Sequence, residues 1–292
     1  MRAPAAMDVA VVGAGRAGTA LAVLLRRAGY RIVAASGGAA TAERIGPHLD
    51  LRPVPAAEAA AAGELVLIGV PDGAIAEVSS ALAADGAFRE GQWVAHLSGT
   101  ARLDVLEPAR RAGAGILSLH PLQTLPDVER AIERLPGSAM AVTATDAAGA
   151  ALGESLALAV GARPFRLDDR AKPLYHAAAV FASNDVIVVT GLAERLFRAA
   201  GMTEPLELFA PLARAALDNA LDLGPAGALT GPVARGDAGT VQAHLEALRT
   251  AAPDTVPAYV ALARAALDLA ERGGSLPPGG RGAVEDVLAR WS

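Results

Sequence analysis

Along the first half of the chain, apolar residues come in short continuous runs rather than in strict alternation. Runs at residues 9–12, 31–35, 65–70, 93–97 and 115–119 each stop at a glycine, proline or polar turn, and 139–143 and 162–167 extend the set. Residues 19–28 have a helical pattern ended by Gly29. Continuous apolar strands alternating with helices predict a mostly parallel sheet covered on both faces. Near Asp168 the pattern changes, and only helices are expected beyond it. A long helix is predicted from about residue 169 to 200, capped by Asp168 or Asp169, with Pro173 near its start. Further helices are predicted over 203–223, 237–250 (capped by Asp237) and 254–272, with a Gly/Pro-rich loop at 224–236. A linker at 273–282 precedes a short terminal helix. The reading is an α/β domain over residues 1–167 and an all-α domain over 168–292.

Composition narrows the options. The 292 residues are 52% hydrophobic and 20% charged, enough for two cores and unlike a disordered chain. A net charge of −5 offers no general attraction to nucleic acid or anionic membrane, and neither is expected as a partner. There is no cysteine, which excludes disulfides, cysteine-based zinc sites and thiol catalysis. With no signal-peptide pattern in the first residues, the expected location is cytoplasmic. The longest apolar stretch, 176–193, is interrupted by Ser183, Asn184 and Asp185, and reads as a buried helix rather than a membrane span. No histidine has metal-site spacing, so no metal is expected.

Gly13-Ala14-Gly15-Arg16-Ala17-Gly18 is a G-x-G-x-x-G segment between a predicted strand and a predicted helix. In that setting it reads as a dinucleotide-binding turn. Gly13 allows the tight turn, Gly15 lets a pyrophosphate approach the backbone, and Gly18 lets helix and strand pack closely. NAD sites usually carry an acid about 20 residues on, for the ribose hydroxyls. Here the second strand ends in Ala34-Ala35-Ser36, and no acid occurs between Gly18 and Glu43. Ser36, with Arg44 and Arg16, suits a 2′-phosphate, so NADP (NADPH) is the expected cofactor. The alternative is that Ser36 is an ordinary turn residue and specificity is relaxed. Val70 and Pro71 end a strand on the ligand side and are expected to line the cofactor, while Asp72 is expected to cap the next helix.

Hydride transfer to a carbonyl or imine needs a proton donor. The chain has one lysine, Lys172, against 25 arginines. Lysine releases a proton when its environment lowers its pKa; arginine does not. Lys172 and His176 are four apart on one helical face, with Ser183 close to that face and Asn184 beside it. These side chains suit a cleft, although a buried structural network serves Ser183 equally well. His96-Leu97-Ser98-Gly99-Thr100 and His120-Pro121-Leu122-Gln123-Thr124 follow apolar strands and are expected to open on the ligand side. Ser98 and Gly99 are candidate substrate contacts. His120 is either a catalytic group or a brace for its own loop. In residues 228–237, Gly231 and Arg235 are candidate substrate contacts, Arg235 as a bidentate clamp for a carboxylate; the alternative for Arg235 is an ion pair.

Taken in order, GAGRAG, VPD, HLSG, HPLQT, KPLYHAAAVFASN and LTGPVARGD resemble Rossmann-like proteins that carry a helical C-terminal domain of unknown function. That family is similar to the 6-phosphogluconate dehydrogenase-like enzymes, with relatives among pyrroline-5-carboxylate and ketopantoate reductases. Some of its members are an alternative type of ketopantoate reductase. The resemblance implies a 6-phosphogluconate dehydrogenase-like subunit that forms a homodimer through its helical domain. By analogy with β-hydroxyacid dehydrogenases, it implies that Lys172 stands for the catalytic lysine and His176 for an asparagine. The expected function is NADPH-dependent reduction of a small, carboxylate-bearing 2-keto acid such as ketopantoate. Lys172 would be the general acid, with His176 and Asn184 orienting the carbonyl. An imine reductase and a non-catalytic NADP-binding sensor or scaffold are the alternatives, because fold alone does not fix function.

Overall fold

The strands form where the apolar runs fall. A computed structural model describes residues 7–291. In it, β1 (Asp8–Val12), β2 (Arg31–Ser36), β3 (Leu65–Ile68), β4 (Trp93–His96), β5 (Gly115–Leu122), β6 (Ala139–Ala144) and β7 (Arg163–Arg166) make one sheet in the order β2-β1-β3-β4-β5-β6-β7. Helices α1 (Arg16–Arg27), α2 (Thr41–Leu49), α3 (Ala56–Ala62), α4 (Ile75–Ala84), α5 (Glu107–Arg111), α6 (Val128–Arg134) and α7 (Ala147–Ala159) connect the strands. One buried cluster joins Leu21 and Leu25 of α1 and Leu156 of α7 to Leu65, Leu67, Leu117 and Leu119. A second joins Ala59 of α3 and Ile75 and Leu82 of α4 to Val66, Ile68, Val94 and Ile116. Strand neighbours thus alternate between two covered faces, as the continuous runs require.

The last two strands, β6 and β7, run against the other five. β5 and β6 pair antiparallel, with Leu122 opposite Ala139, while every other pair in the sheet is parallel. The link between them holds only α6, seven residues and about 10 Å long. The chain does not travel back along β5: Leu122, the last residue of β5, pairs with Ala139, the first of β6, so the chain re-enters the sheet at the end it left.

Beyond β7 lie helices: α8 (Lys172–Ala182), α9 (Asn184–Ala199), α10 (Pro205–Leu223), α11 (Pro225–Ala228), α12 (Ala238–Ala251), α13 (Val256–Arg272) and α14 (Gly280–Leu288). Asp237 caps α12 by accepting the Thr240 N–H at 3.0 Å, as predicted. The loop predicted at 224–236 contains the short α11. The single helix predicted over 169–200 is two: Ser183 leaves helical geometry (φ −134°, ψ −68°), and its hydroxyl bonds back to the Ala179 carbonyl at 2.7 Å.

The chain divides into two compact units after Asn184, so α8 belongs with the sheet rather than opening the second unit at 168. In the second unit the core joins Val241 and Leu245 of α12, Val260 and Leu267 of α13, and Val284 and Leu288 of α14. The apolar stretch 176–193 is not the buried helix that its sequence suggests. Among its large side chains, Phe181 is 73% and Ile187 68% exposed. The run Asp169–Ala199 is long and apolar enough to cross a membrane by length and composition alone. On α10, Leu208, Leu212, Leu217 and Leu221 are also exposed.

Candidate functional site

Strand order reverses at β1, whose neighbours are β2 on one side and β3 on the other. Ligands of such sheets bind at the carboxyl ends of the strands flanking that reversal. The glycine turn follows β1, and Val70-Pro71 follow β3. Gly13 has φ +79°, and a Cβ there would meet the Val70 side chain and lie 2.8 Å from its amide nitrogen. The turn is therefore pressed against the end of β3. The N–H groups of Gly13 and Ala14 donate to the Ser36 carbonyl at 3.0 and 2.8 Å, which ties the turn to β2 as well. Ser36 itself is buried.

Gly15 is different. A Cβ at Gly15 would make ordinary contacts, with the Gly69 carbonyl at 3.5 Å and the Gly13 carbonyl at 3.9 Å, so the protein alone does not require glycine there. No side chain caps α1, which leaves its first N–H groups for a ligand. This geometry fits a dinucleotide pyrophosphate. Beside it lies a cavity of about 510 Å³ whose lining includes Arg16, Arg44, His48, Glu43, Asp127 and Glu129. Arg44 is anchored there by donating to the Ala14 carbonyl at 3.0 Å, and Arg16 donates to the Pro126 carbonyl at 3.0 Å. Asp72 makes no capping hydrogen bond, contrary to expectation. It opens a 3-10 turn, Asp72–Ala74, whose geometry leaves the carboxylate exposed.

A second polar cluster sits at the ends of β4 and β5. His96 and His120 lie within these strands, not in the loops after them. Lys172, at the start of α8, is fully buried. Its ammonium donates to the Ser98 carbonyl at 2.9 Å and to Ser118 Oγ at 2.8 Å. Burial pushes Lys172 down to about 8, against the pull of Asp169 and Asp72. The Ser98 turn is itself fixed. Its N–H donates to His96 Nδ1 at 3.2 Å, and its hydroxyl accepts the Ala101 N–H at 2.9 Å. Asp169 anchors the same region by accepting the Leu103 N–H at 2.9 Å.

His120 and His176 face one another with ring centroids 6.0 Å apart. Gly99 lies against both: a Cβ there would be 2.6 Å from His176 Cδ2 and 2.7 Å from His120 Nε2. Any larger residue would displace the two rings. His120 Nδ1 and the Tyr175 hydroxyl are 2.8 Å apart. Burial raises Tyr175 to about 12, so the phenol keeps its proton and can donate it to Nδ1. Burial, then the charge on Lys172, lowers His120 to about 4. The ring is neutral at pH 7 and, in that tautomer, carries its proton on Nε2, toward Gly99 and His176. A cavity of about 290 Å³ opens here, with His120, Gln123, Thr124, His176, Ser183 and Asn184 on its polar wall.

The structure therefore brings Lys172, His176, His120, Ser98 and Gly99 together, with Ser183 and Asn184 on the same cavity. Gly231 and Arg235 lie in the second unit. There Gly231 has φ +103°, and Arg235 is exposed, with no side-chain hydrogen bond or ion pair among the described residues. Sequence reasoning missed Ser118 and Tyr175. Ser118 had a signal: it lies two residues before His120 on a predicted strand and so shares its face. Tyr175 sits between Lys172 and His176 but carried no pattern of its own. No group of residues arranged to hold a metal ion occurs among the described residues.

Residues 2–121 match the Rossmann-like domain family, and residues 138–266 match a domain of unknown function, DUF2520. No curated protein matches the chain. Among solved structures, a proposed NADP oxidoreductase from Bacteroides fragilis is 23% identical with a TM-score of 0.77, covering 91% of this chain and 100% of that one. A Thermotoga maritima protein is 21% identical with a TM-score of 0.65, covering 90% and 98%. An imine reductase from Myxococcus stipitatus in complex with NADP+ is 17% identical with a TM-score of 0.61, covering 97% and 99%. At these identities what is shared is the fold, a Rossmann-like sheet followed by a helical region, of the kind found in NAD(P)-dependent oxidoreductases.

Proposed function

We propose that this chain, a Rossmann-like domain joined to a DUF2520 domain, is an NADP-dependent reductase of a small 2-keto acid such as ketopantoate. The observation that carries this reading is the only lysine of an arginine-rich chain, buried and hydrogen-bonded beside two facing histidines at the carboxyl ends of the strands. A bound nicotinamide dinucleotide would supply the hydride. Gly13, Gly15 and the start of α1 hold its pyrophosphate. His120 Nε2–H and His176 face the substrate carbonyl, and Gln123, Thr124 and Asn184 offer neutral donors and acceptors to the rest of the molecule. Lys172, buried at the same strand ends, adds its charge to burial in keeping the His120 ring neutral and is the acid of the site in this reading. A screen of NADPH oxidation with ketopantoate, related 2-keto acids and cyclic imines tests this. Turnover of a keto acid is expected. Turnover of imines alone would overturn the reading in favour of an imine reductase, and tight NADPH binding with no turnover would favour a sensor.

The cofactor preference rests on Arg44 and Arg16 beside the glycine turn and on the lack of an acid at the end of β2. NADPH is expected to bind more tightly than NADH in a fluorescence titration. Arg44→Ala should weaken NADPH by about tenfold or more, the worth of a charge-assisted hydrogen bond, and change NADH little. Equal affinity of the native protein for both cofactors would reject the preference.

The reading includes a homodimer. Leu208, Leu212, Leu217 and Leu221 of α10 and Ile187 of α9 are exposed, more large apolar side chains than a monomer usually leaves in water. Sedimentation should give a dimer at micromolar concentration, and Leu212→Glu should shift it toward monomer. A native monomer would refute this.

A further inference from the structure

Ser118 belongs to neither the glycine turn nor the cavity wall, yet it is buried in the middle of the polar cluster. On β5 it shares a face with His120. Its cross-strand neighbours are His96 on β4 and Thr143 on β6, both buried as well. A buried polar row thus crosses three strands of the sheet, and buried polar groups need partners. Thr143 Oγ1 donates to the Leu167 carbonyl at 3.0 Å, and His96 Nδ1 accepts the Ser98 N–H. Ser118 Oγ accepts from the Lys172 ammonium at 2.8 Å, and its own hydrogen is directed to the Ser98 carbonyl at 3.4 Å. That second bond turns an oxygen lone pair toward the ammonium. Two of the three Lys172 protons are therefore held, one by the β4 turn and one by β5.

We propose that Ser118 is a positioning residue for Lys172: it fixes the ammonium between β4 and β5 and holds it in the charged form at the place where the site needs a proton. This rests on reading Lys172 as the acid of the site. The physical reason is that a buried ammonium has exchanged water for whatever acceptors the protein provides, and an acceptor aimed at it favours the charged form. Ser118 is one of only two such acceptors on Lys172 among the described residues. The charges facing Lys172 are Asp169 beside it and Asp72 after β3, both favouring the ammonium. His96 and His120, held at about 3 and about 4, stay uncharged while Lys172 titrates. His176 lies one turn along α8.

The single lysine makes the test direct. Protein grown on 13C-lysine gives one lysine signal, which needs no assignment, and its pH titration reads Lys172 without any substrate. The native midpoint is expected near 8. Ser118→Ala should lower it by about half to one pH unit, a roughly three- to tenfold loss of proton affinity. Ser118→Thr, which keeps the hydroxyl, should restore it. Should Ser118→Ala fail to fold, Ser118→Cys, whose sulfur is a weak acceptor, should shift the midpoint the same way. A lower melting temperature with an unmoved midpoint would mean a purely structural role and would overturn the proposal. If the midpoint moves as expected but the screen finds no substrate, the positioning role stands and the catalytic reading falls.

Discussion

Lys172→Met is expected to lower turnover by about 10²–10⁴-fold, the usual contribution of a general acid, while NADPH affinity changes little. Methionine nearly matches the lysine stem and fills the same buried space without a charge. The melting temperature should not fall. The buried ammonium, lowered from 10.5 to about 8, costs on the order of 1–3 kcal/mol of stability at neutral pH. The acceptors it leaves are not stranded, because Ser118 Oγ is already directed to the Ser98 carbonyl. The sign with pH follows. Between about 8 and 10.5 the unfolded chain binds a proton at this lysine that the folded chain does not, so native stability gains with rising pH across that window. Any stability advantage of Lys172→Met should shrink there. Native turnover should fall as pH rises through about 8, because the acid form is lost. Lys172→Arg is a poorer probe, since a guanidinium is larger than the ammonium held between Ser98 and Ser118. Steady-state kinetics across pH, with melting curves for both proteins, check these statements. Near-native turnover in Lys172→Met would remove Lys172 from the mechanism and leave His176 and His120 as the candidates.

Gly13→Ala is expected to lower the melting temperature by about 5–15 °C and to weaken NADPH binding severely. An alanine at φ +79° bears a backbone penalty of about 1–2 kcal/mol. Its Cβ also meets Val70, including the backbone nitrogen at 2.8 Å, which a rotamer change cannot relieve. Overpacking of this kind costs roughly 1–3 kcal/mol, and each kcal/mol moves the midpoint of a domain this size by about 2–4 °C. The turn would have to leave the Ser36 carbonyl or push β3 aside, and either change disturbs the start of α1. Gly15→Ala separates folding from binding. Its Cβ has room, so the melting temperature should stay native while cofactor affinity drops. Calorimetry and cofactor titration of the two variants give the answer. A Gly13→Ala protein with native melting and native binding would show that the turn is not packed against β3 as described.

Much of this protein is set by local pattern. The strands and the change to helices near Asp168 follow from the length and continuity of the apolar runs, because a strand covered on both faces has no polar side to show. The glycine turn is equally local, since a positive φ and a close helix–strand approach need glycine wherever they occur. Lys172 stood out because it is the only lysine in the chain. What the sequence left open depends on contacts between segments far apart in the chain. The reversal of β6 is set by how the chain returns to the sheet, with Ala139 paired to Leu122, and not by any residue pattern within the strand. The break at Ser183 is not visible in the apolar periodicity, which runs straight through it. The exposure of Phe181 and Ile187 could not be read from their hydrophobicity, because the same residues suit a core, a membrane or a partner. Most of the chemistry lies on this second side. His120, Gly99 and His176 meet only when β4, β5 and α8 are brought together, and Lys172 is held between Ser98 and Ser118 only because the sheet aligns two strands under the first turn of that helix.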